Sequence, residues 1–282
     1  MGSIFHIFHT LLYQPLLNIL IFLYQILFQN FGLAIIALTL IIRLILIPLT
    51  IPSLKAAQKM KELQPELEKL KKKFKNDKQG FAQAQLKLYQ QHGANPVAGC
   101  LPQIIQLIIL IALFQAFNQV MRPENNTIEK INQVLYPFLK LSPATTFNTR
   151  FLYLDLTKPD IIHPSLQLGT LKFPPLPGFF LLLSAITQLL SSLMMFPQSK
   201  AAEIQAQKTP KKEDDLASSM QTQMLYLFPL MTLLIGLSFP SGLVIYWAVF
   251  SLTTMVQQYF VSGLGGLSPY LEKLKLFKKS HS

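Results

Sequence analysis

The sequence predicts an all-α polytopic membrane protein with five transmembrane helices. Hydrophobic residues make up 51% of the 282 residues and charged residues only 13%, whereas about 25% of a soluble domain is charged. The mean hydropathy is +0.37. Five apolar stretches are long enough to cross a bilayer, and a single charged side chain lies within them. A lipid environment therefore accounts for the composition.

The five predicted spans are separated by segments that hold nearly all of the charge. At a rise of 1.5 Å per residue, about 20 helical residues cover the hydrocarbon core of about 30 Å. The fourth stretch is short, so local thinning of the bilayer is expected around it. The predicted spans are 31–51, 101–121 within segment 97–121, 176–196, 223–239 and 240–261.

A sixth apolar stretch, 11–29, carries four polar side chains on one helical stripe: Gln14, Asn18, Gln25 and Gln29. Such a stripe is typical of a helix that lies in the membrane interface with its polar edge in water. Residues 1–30 are therefore predicted to be an N-terminal tail followed by an interfacial amphipathic helix. The alternative is a sixth span.

The distribution of Lys and Arg predicts the orientation. Segment 52–96 has ten Lys, whereas segment 122–175 has six Lys or Arg over a longer stretch. The positive-inside rule therefore places 52–96, the loop 197–222 and the basic tail 262–282 in the cytoplasm, with 122–175 outside. An outer N-terminus and an inner C-terminus require an odd number of spans.

Segment 52–96 is predicted to form a cytoplasmic helical hairpin. Apolar residues recur every three or four positions over 53–75, with a kink expected at Pro65. Residues 76–80 form a predicted turn, and 81–91 form a second helix. The hairpin is interpreted either as a solvated loop or as a basic docking arm for an incoming chain, a ribosome or acidic lipid. The net charge of +12 also favours acidic partners such as anionic lipid.

Arg43 is the charged side chain within the spans, and no acidic residue lies in any of them. Placing an arginine at the centre of a membrane helix costs roughly 2.5–3.5 kcal/mol on insertion scales. Either the side chain reaches toward the interface, or it faces a water-filled cavity between helices. Thr39 lies one turn away on the same face. The second, third and fifth spans are also rich in Gln, Asn, Ser and Thr, which favours the cavity.

The sequence gives no indication of catalysis, so no enzyme activity and no cofactor are predicted. The five His and single Cys100 show no spacing typical of a metal site, and neither an HExxH nor a GxxxxGK[ST] motif is present. A small-solute transporter or channel is the alternative prediction. However, no internal repeat is visible, and one cation is a poor selectivity device.

Three long strings carry a resemblance to a known family. RLILIPLTIPSLKAAQKMKELQPELEKLKKKF (43–74), KLYQQHGANPVAGCLPQIIQ (87–106) and FPSGLVIYW (239–247) are similar to signatures of the YidC/Oxa1/Alb3 membrane insertases. Their order and spacing fit over about 11–262. The chain departs from the family pattern at about 123–149, which looks inserted and has no assigned role.

The resemblance implies five transmembrane helices around a hydrophilic groove, with Arg43 inside it. Thr39, Gln106, Tyr246 and Trp247 match positions that line the groove or contact substrate. The implied function is to insert nascent membrane proteins and help them fold, without ATP, alone or with a Sec-type translocon. A ribosome is a further implied partner, through the hairpin 53–91 and the tail 268–282. The expected active unit is a monomer, and the implied location is the bacterial cytoplasmic (plasma) membrane.

Overall fold

The structure is a computed structural model that describes residues 6–74, 77–94, 96–121, 128–162, 167–168, 171–172, 175–195 and 216–268. The chain folds as two compact units, each built from several separate stretches of sequence. The first comprises Met1–Ile45, Gln103–Ile186 and Leu230–Thr253, and the second comprises Leu46–Pro102, Thr187–Pro229 and Thr254–Ser282.

The described residues are mostly helical, which confirms the predicted fold class. A short π-helix, His9–Tyr13, leads into the first α-helix. The α-helices are α1 (Gln14–Ile26), α2 (Phe31–Glu62), α3 (Gln64–Lys73), α4 (Lys78–Gln91), α5 (Pro96–Met121), α6 (Ile128–Val134), α7 (Phe179–Met195), α8 (Leu216–Gly236) and α9 (Ser241–Ser262).

Every predicted span coincides with a helix, namely α2, α5, α7, α8 and α9 in chain order. Four helical segments of the described chain are long and apolar enough to cross a membrane. The apolar parts of α7 and α8 are shorter, at Phe179–Met194 and Tyr226–Gly236. The four long segments are His6–Ile26, Phe31–Met60, Ile104–Met121 and Ser241–Ser262.

Helix α2 runs past the predicted end of the first span at residue 51. It includes Pro48 and Pro52, and it ends at Glu62. Within this stretch, the Thr50 hydroxyl donates to the carbonyl oxygens of Leu46 and Ile47 at 3.0 and 3.2 Å. The predicted first helix of the hairpin, 53–75, therefore differs from the structure, because residues 53–62 continue α2 and a second helix begins at Gln64. The helix is interrupted at Leu63. Pro65 lies in the first turn of α3, where a proline is well tolerated.

Helices α3 and α4 form the predicted hairpin, within the second unit. Leu63, Leu67, Leu88 and Ala94 make a small apolar core between them. Helix α4 begins at residue 78, three residues earlier than predicted, because the Asp77 carboxylate accepts a hydrogen bond from a backbone N–H of its first turn at 2.8 Å.

Residues 128–177, named here the outer segment after the orientation that the sequence predicts, belong to the first unit and combine α6 with short strands. A 3₁₀ turn, Pro137–Leu139, follows α6. The Asn132 side chain links α6 to the residue two positions after this turn. It donates to the Leu141 carbonyl and accepts from the Leu141 N–H, each at 2.8 Å. Three antiparallel pairs follow: β1 (Arg150–Phe151) with β2 (Leu154–Asp155), β3 (Ile161–Ile162) with β6 (Leu176–Pro177), and β4 (Gln167–Leu168) with β5 (Leu171–Lys172).

The predicted polar edge of α1 is only partly exposed. Gln25 is exposed on the helix, whereas Gln29 is exposed in a turn beyond its end at Ile26. Asn18, by contrast, is 1% exposed. The expectation that this edge faces water is therefore wrong at Asn18, because the outer segment packs over the N-terminal half of α1 and replaces water as the hydrogen-bonding partner.

Asn18 joins α1 to the outer segment. Its side-chain oxygen accepts from the Tyr136 N–H at 2.6 Å, and its amide nitrogen donates to the Val134 carbonyl at 3.1 Å. Gln14 also donates to the Val134 carbonyl, at 3.1 Å. These bonds satisfy backbone groups at the end of α6 that have no partner within that helix.

Replacing Asn18 with alanine is expected to loosen the outer segment. The Tyr136 N–H would lose its acceptor in a buried position, which costs about 1–3 kcal/mol. Limited trypsin digestion of the purified protein in detergent should cleave after Lys140 several times faster than in the wild type. Gln25→Ala, on the exposed side of the same helix, is the matched control and should digest like the wild type. Equal digestion of the two variants would contradict the role of Asn18.

Residues 153–160, named here the outer clasp, fix the first turn of α7. The buried carboxylate of Asp160 accepts from the Tyr153 hydroxyl at 2.8 Å and from the Leu181 N–H at 2.9 Å. The Tyr153 oxygen in turn accepts from the Phe179 N–H at 3.1 Å. The clasp therefore satisfies N–H groups that the start of a helix leaves unpaired.

The outer clasp also holds the start of α9. The Ser241 hydroxyl donates to the Asp155 carbonyl at 2.9 Å, and its N–H donates to the Lys158 carbonyl at 2.7 Å. The Gly242 N–H donates to the Leu156 carbonyl at 3.2 Å. Ser241 is thus a helix-start residue whose hydroxyl and N–H both bond to backbone carbonyls of the clasp.

The stabilising effect of Tyr153 is expected to depend on alkaline pH. Burial, the hydrogen bond to Asp160 and the charge of that carboxylate raise the pKa of the Tyr153 phenol from 10.0 to about 12. The fold favours the neutral phenol, so its contribution is fully present below pH 10.0 and is lost as the pH rises toward about 12. The difference in thermal unfolding temperature between the wild type and Tyr153→Phe should stay constant below pH 10.0 and narrow above it. A difference that does not change with pH would contradict this prediction.

Candidate intramembrane site

Arg43 lies on α2 with its side chain inside the first unit. It is 7% exposed, and its Cζ atom lies 4.6 Å from the centroid of the Phe250 ring on α9. A side chain that reached along the lipid-facing surface toward the interface would be exposed, so the burial of Arg43 disfavours that alternative. An aromatic face at this distance stabilises a cation through the ring quadrupole.

Gln106 and Tyr246 bring α5 and α9 together near this cation. The Gln106 side-chain nitrogen donates to the Tyr246 hydroxyl at 2.7 Å. Tyr246 is fully buried, its ring centroid lies 6.2 Å from that of Phe250, and its hydroxyl is close enough to Arg43 to interact with it electrostatically. Tyr246 and Phe250 are one helical turn apart, so their rings share the face of α9 that contacts Gln106 and Arg43.

The other amide atom of Gln106 is less well satisfied. Its Oε1 atom is buried and has no hydrogen-bond partner among the residues that the structure describes. An unsatisfied buried acceptor costs about 1–3 kcal/mol, and water is the usual partner where protein supplies none. This atom therefore favours a hydrated neighbourhood over a sealed apolar one.

Thr39 and Trp247 lie beside the group formed by Arg43, Gln106 and Tyr246. Thr39 is fully buried, and its hydroxyl donates to the Ile35 carbonyl of its own helix at 2.6 Å, so its proton is not directed at Arg43. Trp247 is half-buried, and as the next residue after Tyr246 it lies about 100° around α9. The structure thus brings Arg43, Gln106 and Tyr246 together, with Thr39 one turn along α2 and Trp247 on a different face of α9.

Phe250 is the residue of this cluster that was not predicted from the sequence. Its position four residues after Tyr246 indicates a shared helix face, and that spacing could have identified it. Its contact with Arg43 depends on how α2 packs against α9, which no local pattern specifies.

The cluster combines one cation with an amide, a phenol and an aromatic ring. In the described part of the chain, no three His, Cys, Asp or Glu side chains lie together as metal ligands would. Chemically, such a set of groups can attract an anion and exchange hydrogen bonds with a polar group inside an apolar helix bundle.

The comparisons with known proteins identify the family. Residues 22–264, most of the chain, match the profile of the family described as 60Kd inner membrane protein. The chain belongs to this family. Because it belongs to this family and has several apolar helices, the chain is a multi-pass protein of the bacterial inner membrane.

Three relatives carry the same description, membrane protein insertase YidC. The relative from Fusobacterium nucleatum is 33% identical over 84% of this chain and 88% of its own length. The relative from Clostridium perfringens is 35% identical over 79% and 75%. The relative from Geobacter sulfurreducens is 31% identical over 90% of this chain but only 37% of its own length. The chain therefore spans most of some relatives and little more than a third of others.

These relatives confirm the resemblance to the YidC/Oxa1/Alb3 insertases. The alternative prediction, a small-solute transporter or channel, gains no support from them.

Proposed function

We propose that the chain inserts membrane proteins into the bilayer through a hydrophilic groove in which Arg43 is the central cation. The observation that carries this proposal is the burial of Arg43 beside Gln106 and Tyr246, where Gln106 also holds an acceptor without a partner among the described residues. The family of the chain supports the same function.

The task is to carry a short hydrophilic segment across hydrocarbon. Each backbone group without a hydrogen bond costs several kcal/mol there. A hydrated groove shortens the dry path, and Arg43 attracts acidic side chains in the passing segment. Residues Thr39, Gln106, Tyr246 and Trp247 line the groove in this proposal.

The apolar part of the substrate then leaves along lipid-facing helices. Leu182 and Ile186 on α7 and Leu252 on α9 are exposed apolar residues that offer such a surface. Moving the substrate's apolar surface into lipid provides about 25 cal/mol per Å². Partitioning supplies the driving force, so the proposed mechanism uses neither catalysis, a cofactor nor ATP.

The proposed topology places α1 flat on the outer surface. Asn18 and Tyr24 both bond to the outer segment, Tyr24 as acceptor from the Asn148 N–H at 3.1 Å. The outer segment carries exposed charges such as Glu129 and Lys140. If α1 crossed the bilayer, these bonds would draw charged residues into hydrocarbon at high cost. By length alone the helix could span, but its partners favour the interface, with the N-terminus outside and the C-terminus in the cytoplasm.

The function is tested by reconstitution. The purified chain in lipid vesicles should protect a translocated single-span substrate from added protease, above the level in vesicles without the chain. Vesicles with heat-unfolded chain are the control for bilayer disturbance. Equal protection in all three samples would exclude insertase activity, and solute flux without insertion would favour a transporter.

Hydration of the groove is tested by thiol labelling in a Cys100→Ser background. A cysteine at Gln106 should react with a small water-soluble thiol reagent added on the cytoplasmic side. Leu107→Cys is the matched control, because residue 107 has the same depth but is an exposed apolar position facing lipid. Modification at both positions or at neither would contradict a groove that is wet on one face only.

The basic hairpin 53–91 and the tail 268–282 are the proposed contacts for a ribosome, a Sec-type translocon and anionic lipids, and a monomer is the proposed active unit. The lysine side chains of α3 are mostly solvent-accessible, which supports an electrostatic role. Residues 269–282 lie outside the described residues.

Deleting 268–282 is expected to weaken ribosome binding severalfold, because four lysines are removed. Co-sedimentation with ribosomes at increasing salt measures the change. A full-length variant with those four lysines replaced by glutamine is the matched control and should reproduce the deletion if charge is responsible. Unchanged co-sedimentation of both variants would leave the tail without a ribosome-binding role.

A further inference from the structure

The 3₁₀ turn of the outer segment presents an aromatic side chain outward from a fixed backbone. Phe138 is 78% exposed, whereas its neighbour Leu139 is 3% exposed and the turn packs against α1. The backbone two residues earlier is held by the bond from Tyr136 to Asn18. The exposure of Phe138 therefore arises from the fold of the turn.

A second ring lies beside the first. Tyr136 is partly exposed, and its ring centroid lies 6.0 Å from that of Phe138. Lys140 follows on the same exposed stretch of chain. Tyrosine, a second aromatic ring and lysine form the residue combination that marks the boundary between lipid headgroups and acyl chains.

Helix α1, against which the turn packs, also exposes apolar side chains. Phe22 and Ile26 are exposed on α1, and Phe28 is exposed just beyond its end. Gln14 and Asn18, the polar residues of its N-terminal half, already bond to the outer segment. The turn and the helix that it packs against thus both present exposed apolar side chains, as a helix in the membrane interface would.

We propose that Tyr136 and Phe138 anchor the outer segment, and α1 with it, in the interface of the outer lipid leaflet. This inference rests on the proposed topology, in which 122–175 is outside. The occupant is phospholipid: the rings enter the acyl boundary, and Lys140 meets lipid phosphates. Residues 128–149, the described part of the stretch that looks inserted, then hold α1 at the depth of these rings.

The proposal is tested with nitroxide spin labels on the full chain in vesicles of phosphatidylcholine and phosphatidylglycerol, in a Cys100→Ser background. A label at Phe138→Cys should be more accessible to oxygen than to a water-soluble nickel chelate. Glu129→Cys, an exposed charged position on α6, is the aqueous control. Leu44→Cys, an exposed apolar position on α2, is the lipid control.

Three results are distinguishable. A label at 138 that resembles the one at 44 supports the proposal. A label that resembles the one at 129 overturns it, because the rings are then in water. A label shielded from both reagents also overturns it, because a protein partner or a second copy then covers the turn.

The same labelled protein is assayed for substrate insertion. Full insertion by a protein whose 138 label is in water defeats the lipid anchor alone. Loss of insertion in the unlabelled wild type bears on the proposed function instead.

Discussion

Replacing Arg43 with alanine is expected to slow the insertion of substrates with acidic translocated tails about tenfold, while substrates with neutral tails insert at nearly the wild-type rate. Two unit charges about 10 Å apart attract each other by roughly 1.7 kcal/mol at an effective dielectric constant of about 20. A change of about 1.4 kcal/mol in a barrier is a tenfold change in rate. The predicted spans contain no other cation that could replace Arg43.

The measurement is the initial rate of protease protection in reconstituted vesicles, with substrates that differ only in the charge of the translocated tail. Arg43→Lys keeps the charge and should retain most of the preference for acidic tails. Phe250→Leu removes the ring that faces the guanidinium but not the charge, so it should leave the preference largely intact. Equal slowing of acidic and neutral tails by Arg43→Ala would show that the residue acts through packing and not through attraction.

Replacing Asp160 with alanine is expected to destabilise the protein by about 3 kcal/mol. The carboxylate is 0% exposed and accepts hydrogen bonds from Tyr153 and from the Leu181 N–H at the start of α7. Hydrogen bonds to a charged group contribute about 1.5–3 kcal/mol each, and loss of a helix cap costs about 1 kcal/mol. The expected loss is below the sum because the outer segment can relax around the smaller side chain.

The measurement is unfolding of the purified protein in detergent, followed by circular dichroism at increasing denaturant. Asp160→Asn keeps the volume and one oxygen acceptor, so it should lower the free energy of unfolding by about half as much as Asp160→Ala. Gly178→Ala should also destabilise, because a Cβ at residue 178 would overlap the Asp160 carboxylate. Tyr153→Phe removes the hydroxyl that bonds to Asp160 and to the Phe179 N–H, but it leaves the bond between Asp160 and the Leu181 N–H, so it should cost less than Asp160→Ala. Wild-type stability of Asp160→Ala would mean that the outer clasp does not hold α7.

Much of the fold could be predicted from the sequence because hydrophobic length is a local property. Each predicted span coincides with a helix, and the hairpin core follows from apolar residues at helical spacing, such as Leu63 and Leu67. The helix ends were less predictable. Helix α2 continues through Pro52 although proline lacks an amide hydrogen, and α4 starts early because the Asp77 carboxylate caps its first turn.

Arg43 could be selected from the sequence because a charge in a span is costly wherever it lies, and the cost needs no coordinates to be recognised. Its contact with Phe250 could not be predicted, because the packing of α2 against α9 determines it. The same reasoning applies to Asn18, whose polarity suggested water but whose partner is a backbone segment more than a hundred residues later in the chain.

From the sequence alone it follows that this is a polytopic helical membrane protein and that Arg43 is the anomalous side chain within its predicted spans. These properties depend on the free energy of moving each residue from water into lipid, which is largely additive along the chain. The tertiary structure alone decided which groups face Arg43, what satisfies Asn18 and what holds the starts of α7 and α9. Such partners come from distant parts of the chain, and they are fixed only when the helices and the outer segment pack together.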